Sequence, residues 1–138
     1  NKEFLRNLPV EVCFRAGKFE VMIVHGSPLQ LNEYLYEGAK PEYLMELLNI
    51  FHCDVLICGH THVPYHKVLN PGKHVINAGS VGKPKHGDPQ AAYVIIEFGE
   101  TVEVHIQKVA YDVESMAMAG DLSGLPKEFA EALRTGVD

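Results

Sequence analysis

Three short apolar runs, each broken off by a small polar loop that carries glycine, constrain this chain more than any other feature. Val21-Met22-Ile23-Val24 gives way to His25-Gly26-Ser27-Pro28. Asp54-Val55-Leu56-Ile57-Cys58 gives way to Gly59-His60-Thr61-His62-Val63-Pro64, and Val75-Ile76 to Asn77-Ala78-Gly79-Ser80-Val81-Gly82. Near-continuous apolar runs this short read as strands buried on both faces. In open α/β sheets ligands sit outside the carboxyl ends of the strands. The three loops are therefore expected to meet on one edge of a sheet.

The rest of the pattern fits a layered α/β domain, with residues 1–138 as a single unit. Val10, Val12 and Phe14 alternate with polar neighbours, which predicts a half-buried strand that turns at Ala16-Gly17-Lys18 into a second strand over Phe19 to Val24. Leu29 to Ala39 has no clean period and reads as a loop with one helical turn at most. Pro41 suits the first turn of a helix. Leu44, Leu47, Leu48 and Phe51 give that helix one apolar face, with His52 in its last turn. Tyr65 to Leu69 reads as a strand closed by Asn70-Pro71-Gly72. Ala91 to Phe98 and Thr101 to Val109 read as a hairpin around a two-residue Gly99-Glu100 turn. Asp112 is a good N-cap for a helix that stops near Gly120. A last helix opens at Pro126, with Phe129, Ala132 and Leu133 on its apolar face and Gly136 past its end.

Composition excludes several functions. The 138 residues are 46% hydrophobic and 22% charged, enough for one globular core. Lys and Arg number 12 against 18 Asp and Glu, a formal charge of -6. A chain so acidic lacks the clustered cations that binding to a phosphate backbone requires, so no stable nucleic-acid partner is expected. No apolar run approaches the ~20 residues of a membrane span. Three Cys, a sparse and odd number, argue against a disulfide framework and for a reducing, cytoplasmic setting, with Cys58 as a small core residue. The opening residue, Asn1 rather than Met, suggests a missing upstream piece.

Histidine carries the chemistry. There are 8. His60 and His62 follow the glycine of the second loop, and Gly59 is expected to let the backbone turn tightly there. In an extended segment, i and i+2 side chains leave the same surface. Two neutral imidazoles so placed suit one metal ion, or two neighbouring ions, or else form only a pair of surface histidines in a turn. His25, at the end of another buried strand, adds a third candidate donor for a His₃ set. The other histidines have bland readings: His52 at a helix end, His66 and His74 exposed beside a strand pair, His105 outward on the hairpin, and His86 in a polar loop near the site. Lys83 and Lys85 follow the third loop and read as solvated.

Val24-His25-Gly26-Ser27-Pro28, Gly59-His60-Thr61-His62-Val63-Pro64 and Asn77-Ala78-Gly79-Ser80-Val81-Gly82, taken in that order, resemble the later motifs of the calcineurin-like metallophosphoesterases, and most nearly the small bacterial and archaeal phosphodiesterase branch. The resemblance extends through Gly87-Asp88-Pro89 and Tyr111-Asp112-Val113-Glu114. It implies a β-sandwich flanked by helices in four layers, αββα. It also implies two divalent cations, manganese first and iron, nickel, cobalt or zinc as alternatives, that clamp a phosphoester and activate a hydroxide. By the same resemblance His25 and His60 ligate one metal and His62 the other, while Asn77 and Ser80 fix the adjoining loop. Ala78 stands where the family usually has Pro.

The family's early motifs, an Asp-x-His, a Gly-Asp and a Gly-Asn-His with a following acid, do not occur ahead of His25. The chain thus resembles the C-terminal half of such an enzyme. Its expected partners are a phosphoester substrate and an N-terminal half supplied in cis or in trans; alone it should catalyse little. Two alternatives accompany this reading. One is a non-catalytic scaffold of the same fold, like a retromer subunit that resembles these enzymes, and the other is a mononuclear His₃ site.

Overall fold

The computed structural model describes residues 2–137. Eleven elements follow one another: α1 (Lys2–Arg6), β1 (Glu11–Ala16), β2 (Phe19–Val24), α2 (Pro41–Ile50), β3 (Val55–Cys58), β4 (Tyr65–Asn70), β5 (Lys73–Asn77), β6 (Ala91–Phe98), β7 (Val102–Val109), α3 (Val113–Leu122) and α4 (Lys127–Thr135). A five-stranded sheet has the order β1-β2-β3-β5-β4, and β6 and β7 form a separate two-stranded sheet.

The middle of the large sheet is parallel. Val21 to Ile23 register with Val55 to Ile57, and Val55 to Cys58 with His74 to Asn77. β2, β3 and β5 therefore end on one edge. β1 and β4 close the two sides antiparallel.

Alternation of side chains across the parallel strands splits the core in two. Met22, Leu56, Cys58 and Val75 pack with Leu44, Leu47 and Leu48 of α2 and with Leu35. Phe19, Val21, Val55 and Ile76 pack on the opposite face against Val94, Ile96, Phe98, Val102 and Val104 of the hairpin. Helix on sheet on sheet is the mixed α/β arrangement that the pattern predicts. α3 and α4 pair through Arg134, which donates to both oxygens of Glu114 at 2.9 Å and to Asp121 at 3.3 Å. The end of α4 is fastened to the loop after β5, where the Gly87 amide donates to the Gly136 carbonyl at 2.9 Å.

Several local expectations fail for identifiable reasons. β1 is not half-buried: Val12 and Phe14 are 40% and 42% exposed on this edge strand, and only Ala16 packs into the hairpin-side core. His52 lies past the end of α2 in a left-handed conformation, φ 51°, instead of in the last helical turn. The β6–β7 loop is three residues long, since Phe98 pairs with Val102. α3 runs on to Leu122, two residues past Gly120, and starts as expected at Asp112, whose carboxylate accepts the Ser115 amide at 3.0 Å. In α4 the buried residues are Ala130 and Ala132, while Phe129 is exposed beneath the ammonium group of Lys83. The short α1 was not legible in the pattern.

Candidate metal centre

The loops after β2, β3 and β5 meet because their strands are parallel neighbours, and backbone bonds extend the ladder past the strand ends. The Gly59 amide donates to the His25 carbonyl at 2.8 Å, and the Ala78 amide to the Cys58 carbonyl at 3.0 Å. Asn77, fully buried, ties the second and third loops together. Its amide group donates to the Gly59 carbonyl at 2.7 Å and its oxygen accepts the Gly79 amide at 2.9 Å. Ser80 accepts the Lys83 amide at 2.9 Å. Both residues fix the loop, as the resemblance implies.

The backbone of the second loop differs from the extended segment expected. Gly59 has no positive φ, and a Cβ there would meet only ordinary contacts. The left-handed residues are the histidines themselves, φ 63° at His60 and 59° at His62. Such conformations cost a non-glycine residue on the order of 1 kcal/mol or more and persist only where the surroundings hold them. Here Thr61, 2% exposed, is the clamp: its amide donates to the Gly59 carbonyl at 2.7 Å and its hydroxyl accepts the Val63 amide at 3.1 Å. The glycine the first loop needs is Gly26, where a Cβ would lie 2.5 Å from the Leu31 carbonyl oxygen.

Two of the three candidate donors, His25 and His60, come together. His25 Nε2 lies 3.1 Å from His60 Nδ1, with the rings edge to face. Burial pushes the His25 pKa down, and positive charge on His60 or His62 would push it further, so His25 is held as a neutral donor. His62 Nδ1 is 2.6 Å from the Lys83 carbonyl oxygen, which can only accept. Nδ1 therefore carries the proton and Nε2 keeps its lone pair, the arrangement by which second partners orient metal-binding imidazoles. His60 Nε2 is buried without a partner.

These residues suit a divalent cation in donor chemistry. Two nitrogens about 2.1 Å from one ion at ordinary coordination angles stand roughly 3.0–3.4 Å apart, which spans the His25–His60 separation. They do not complete a cage. Among the described residues no three His, Cys, Asp or Glu side chains close around one position.

The model of the calcineurin-like phosphoesterase superfamily domain matches residues 1–101. The chain belongs to that superfamily. An uncharacterized protein of Methanocaldococcus jannaschii is 28% identical over 152 aligned positions, covering 99% of this chain and 60% of that protein. A solved metallophosphoesterase of Sphaerobacter thermophilus is 27% identical with a TM-score of 0.78, covering 98% of this chain and 62% of that one. A hypothetical protein of Pyrococcus horikoshii shares the fold at a TM-score of 0.84 and 24% identity, covering 98% of this chain and 54% of that one. The chain thus spans between 54% and 62% of the length of these three relatives.

Membership of the superfamily implies divalent metal ions as cofactors. The remaining histidines separate from the site. His66 and His74 are not exposed: His74 is 6% exposed and its Nδ1 lies 2.9 Å from His66 Nε2, because the β4–β5 register sets both on the hairpin face of the sheet. His105 is outward, 3.4 Å from Glu97. His86 lies just past Lys85, whose amide bonds the His62 carbonyl at 3.4 Å, and neither of its ring nitrogens has a partner.

The sequence reading passed over Tyr34. Its ring centroid is 4.2 Å from that of His60. The available signal was the Tyr34-Leu35-Tyr36 alternation, which sets both tyrosines on one side of an extended stretch and buries Leu35 on the other. No helix among the described residues is long and apolar enough to cross a membrane.

Proposed function

We propose that this chain carries the later ligands of a dinuclear metallophosphoesterase, His25 and His60 toward one cation and His62 toward the other. The observation that carries this reading is the His25–His60 pair at the ends of neighbouring strands, with His62 Nε2 on the same loop left bare by the bond from Nδ1 to the Lys83 carbonyl. Paired divalent cations supply Lewis-acid stabilisation of the attacking and leaving oxygens, and manganese suits a site completed by carboxylates. In the hydrolysis a water oxygen forms a bond to phosphorus in line with the ester oxygen, whose bond breaks and which leaves with a proton. The chain's own residues keep His25 neutral and hold the second loop still: burial lowers the His25 pKa, and Asn77 and Thr61 clamp that loop.

Three neutral imidazoles leave two dications without a bridging anion, so the carboxylate donors come from residues beyond these 138, in cis or in trans. A scaffold role is the second reading. It is favoured by the absence of a closed donor cage among the described residues. Vps29 of Entamoeba histolytica, solved with zinc, shares only the fold, at 20% identity and a TM-score of 0.52.

The test is hydrolysis of p-nitrophenyl phosphate and bis-p-nitrophenyl phosphate by the full-length native protein, with manganese and after chelation. Manganese-dependent turnover supports the enzyme. No turnover with manganese, iron, nickel, cobalt or zinc sinks it and leaves the scaffold.

A further inference from the structure

The end of the large sheet away from the histidine loops holds a cavity of about 400 Å³, within the range of small-molecule sites. It lies where β2 and β5 begin, beside the β6–β7 turn, and is lined by buried Phe19 and Val102 and by exposed Val68 and Pro71. His74 is the one buried polar side chain in the lining, at 6% exposed. Its Nδ1 is engaged by His66 Nε2 at 2.9 Å. Its Nε2 has no hydrogen-bond partner among the described residues and is not sealed off in the core, so it faces the cavity. Lys18 and Glu100 stand at the rim, 3.3 Å apart, and the Lys18 ammonium lies 5.6 Å from the centroid of the Phe19 ring. The rim thus carries one cation and one anion that cancel.

We propose that this cavity binds a small uncharged alcohol, a body of one or two apolar rings whose hydroxyl pairs with His74 Nε2. The walls set the body: apolar side chains gain by covering apolar surface. The histidine pair sets the head. Burial lowers the pKa of both His66 and His74, so both rings are neutral and one proton lies in the bond between them. If His66 Nε2 supplies it, His74 carries its own proton on Nε2 and donates to the ligand. If His74 Nδ1 supplies it, Nε2 is bare and accepts. A hydroxyl answers both states, since it donates and accepts. A carboxylate answers only the first and an ammonium only the second. Charge points the same way. The rim pair is neutral as a whole, and an ion brought against Phe19 and Val102 would lose hydration without a counterion of its own. The site is separate from His25, His60 and His62 and does not rest on the phosphoesterase reading.

Titration of the full-length native protein with 2-naphthol, followed by the ¹⁵N shifts of the histidine rings, tests this without metal or turnover. The His74 nitrogens should shift and saturate, while those of outward His105 stay where they are. Val68→Trp, at an exposed position, fills the cavity and should weaken binding about tenfold or more. His74→Phe keeps a ring of similar size and should weaken it about 2- to 12-fold, the net worth of one hydrogen bond. Thermal denaturation checks that both variants are folded. No shift at His74 up to the solubility limit of 2-naphthol overturns the site, as does binding that Val68→Trp leaves unchanged. An affinity that His74→Phe does not alter overturns the pairing with the hydroxyl. Binding of 2-naphthoate as tight as that of 2-naphthol overturns the uncharged ligand.

Discussion

Two pairs of histidines in this molecule look alike by distance and differ in backbone and surroundings. His25 and His60 stand 3.1 Å apart, His66 and His74 2.9 Å apart, and burial lowers the pKa of His25, His66 and His74. His66 and His74 lie on regular antiparallel strands, stacked at 17°. His25 and His60 lie on loops at strand ends, where His60 is left-handed and keeps a buried nitrogen without a partner. A third imidazole with an assigned tautomer and an aromatic wall stand beside them. Proximity of imidazoles therefore does not make a metal site. A left-handed backbone at His60, with a ring nitrogen left unused, is what separates the pair proposed to bind metal from the one on the strands.

The contrast breaks most sharply on substitution. His25→Ala should lower kcat/KM of the manganese-loaded protein by more than about 100-fold, beyond what loss of an outer partner of a metal ligand produces. Its melting temperature should change little. His74→Ala should do the reverse, with a lower melting temperature and kcat/KM within a few-fold of wild type. Steady-state kinetics and thermal denaturation on both variants check this.

A second test sets two loop glycines against each other. Gly26→Ala puts a Cβ against the backbone at Leu31 and should destabilise by about 2–4 kcal/mol, since backbone cannot step aside as a side chain can. Gly59→Ala meets only ordinary contacts and should cost under about 1 kcal/mol. Chemical denaturation of the two variants decides. A large effect at Gly59 would mean that the second loop is held differently from the way described here.

The smallest effect is in pH. The folded pKa values of His66 and His74 lie below the ordinary 6.5, so as pH falls the unfolded chain takes up protons first. Their contribution to stability is complete above that value and is lost as pH drops from it toward the folded pKa values. Each such proton costs up to about 1.4 kcal/mol per pH unit. Replacing both with Gln should flatten the decline in stability between about pH 7 and pH 5 relative to wild type. An unchanged slope would mean that the pair is not held neutral.

How much of this was legible in the sequence follows from what is local. β2, α2 and β5 declare themselves through apolar runs and spacing, and the three loops through the glycine and histidine that end them. The burial of His66 and His74 is not local. It depends on the β4–β5 register and on the hairpin that covers that face, and neither histidine has a neighbour in sequence that reveals it. The exposure of Val12 and Phe14 is the same lesson reversed, since alternation marks a face but not whether anything lies against it. Within the site, His25, His60 and His62 could be singled out as candidate donors, while the left-handed turns at His60 and His62 could not be foreseen, because glycine stood beside them and drew the expectation. The Tyr34 and Tyr36 pair was hidden in a stretch without helical period, whose alternation is only three residues long.

The most direct test is the divalent metal retained per molecule by the full-length native protein after gel filtration, in wild type and in His25→Ala, His60→Ala and His62→Ala. The account predicts metal bound to the wild type and a clear loss in each variant, with the chain still folded by circular dichroism. Metal retained equally by all four proteins, or by none, would contradict it.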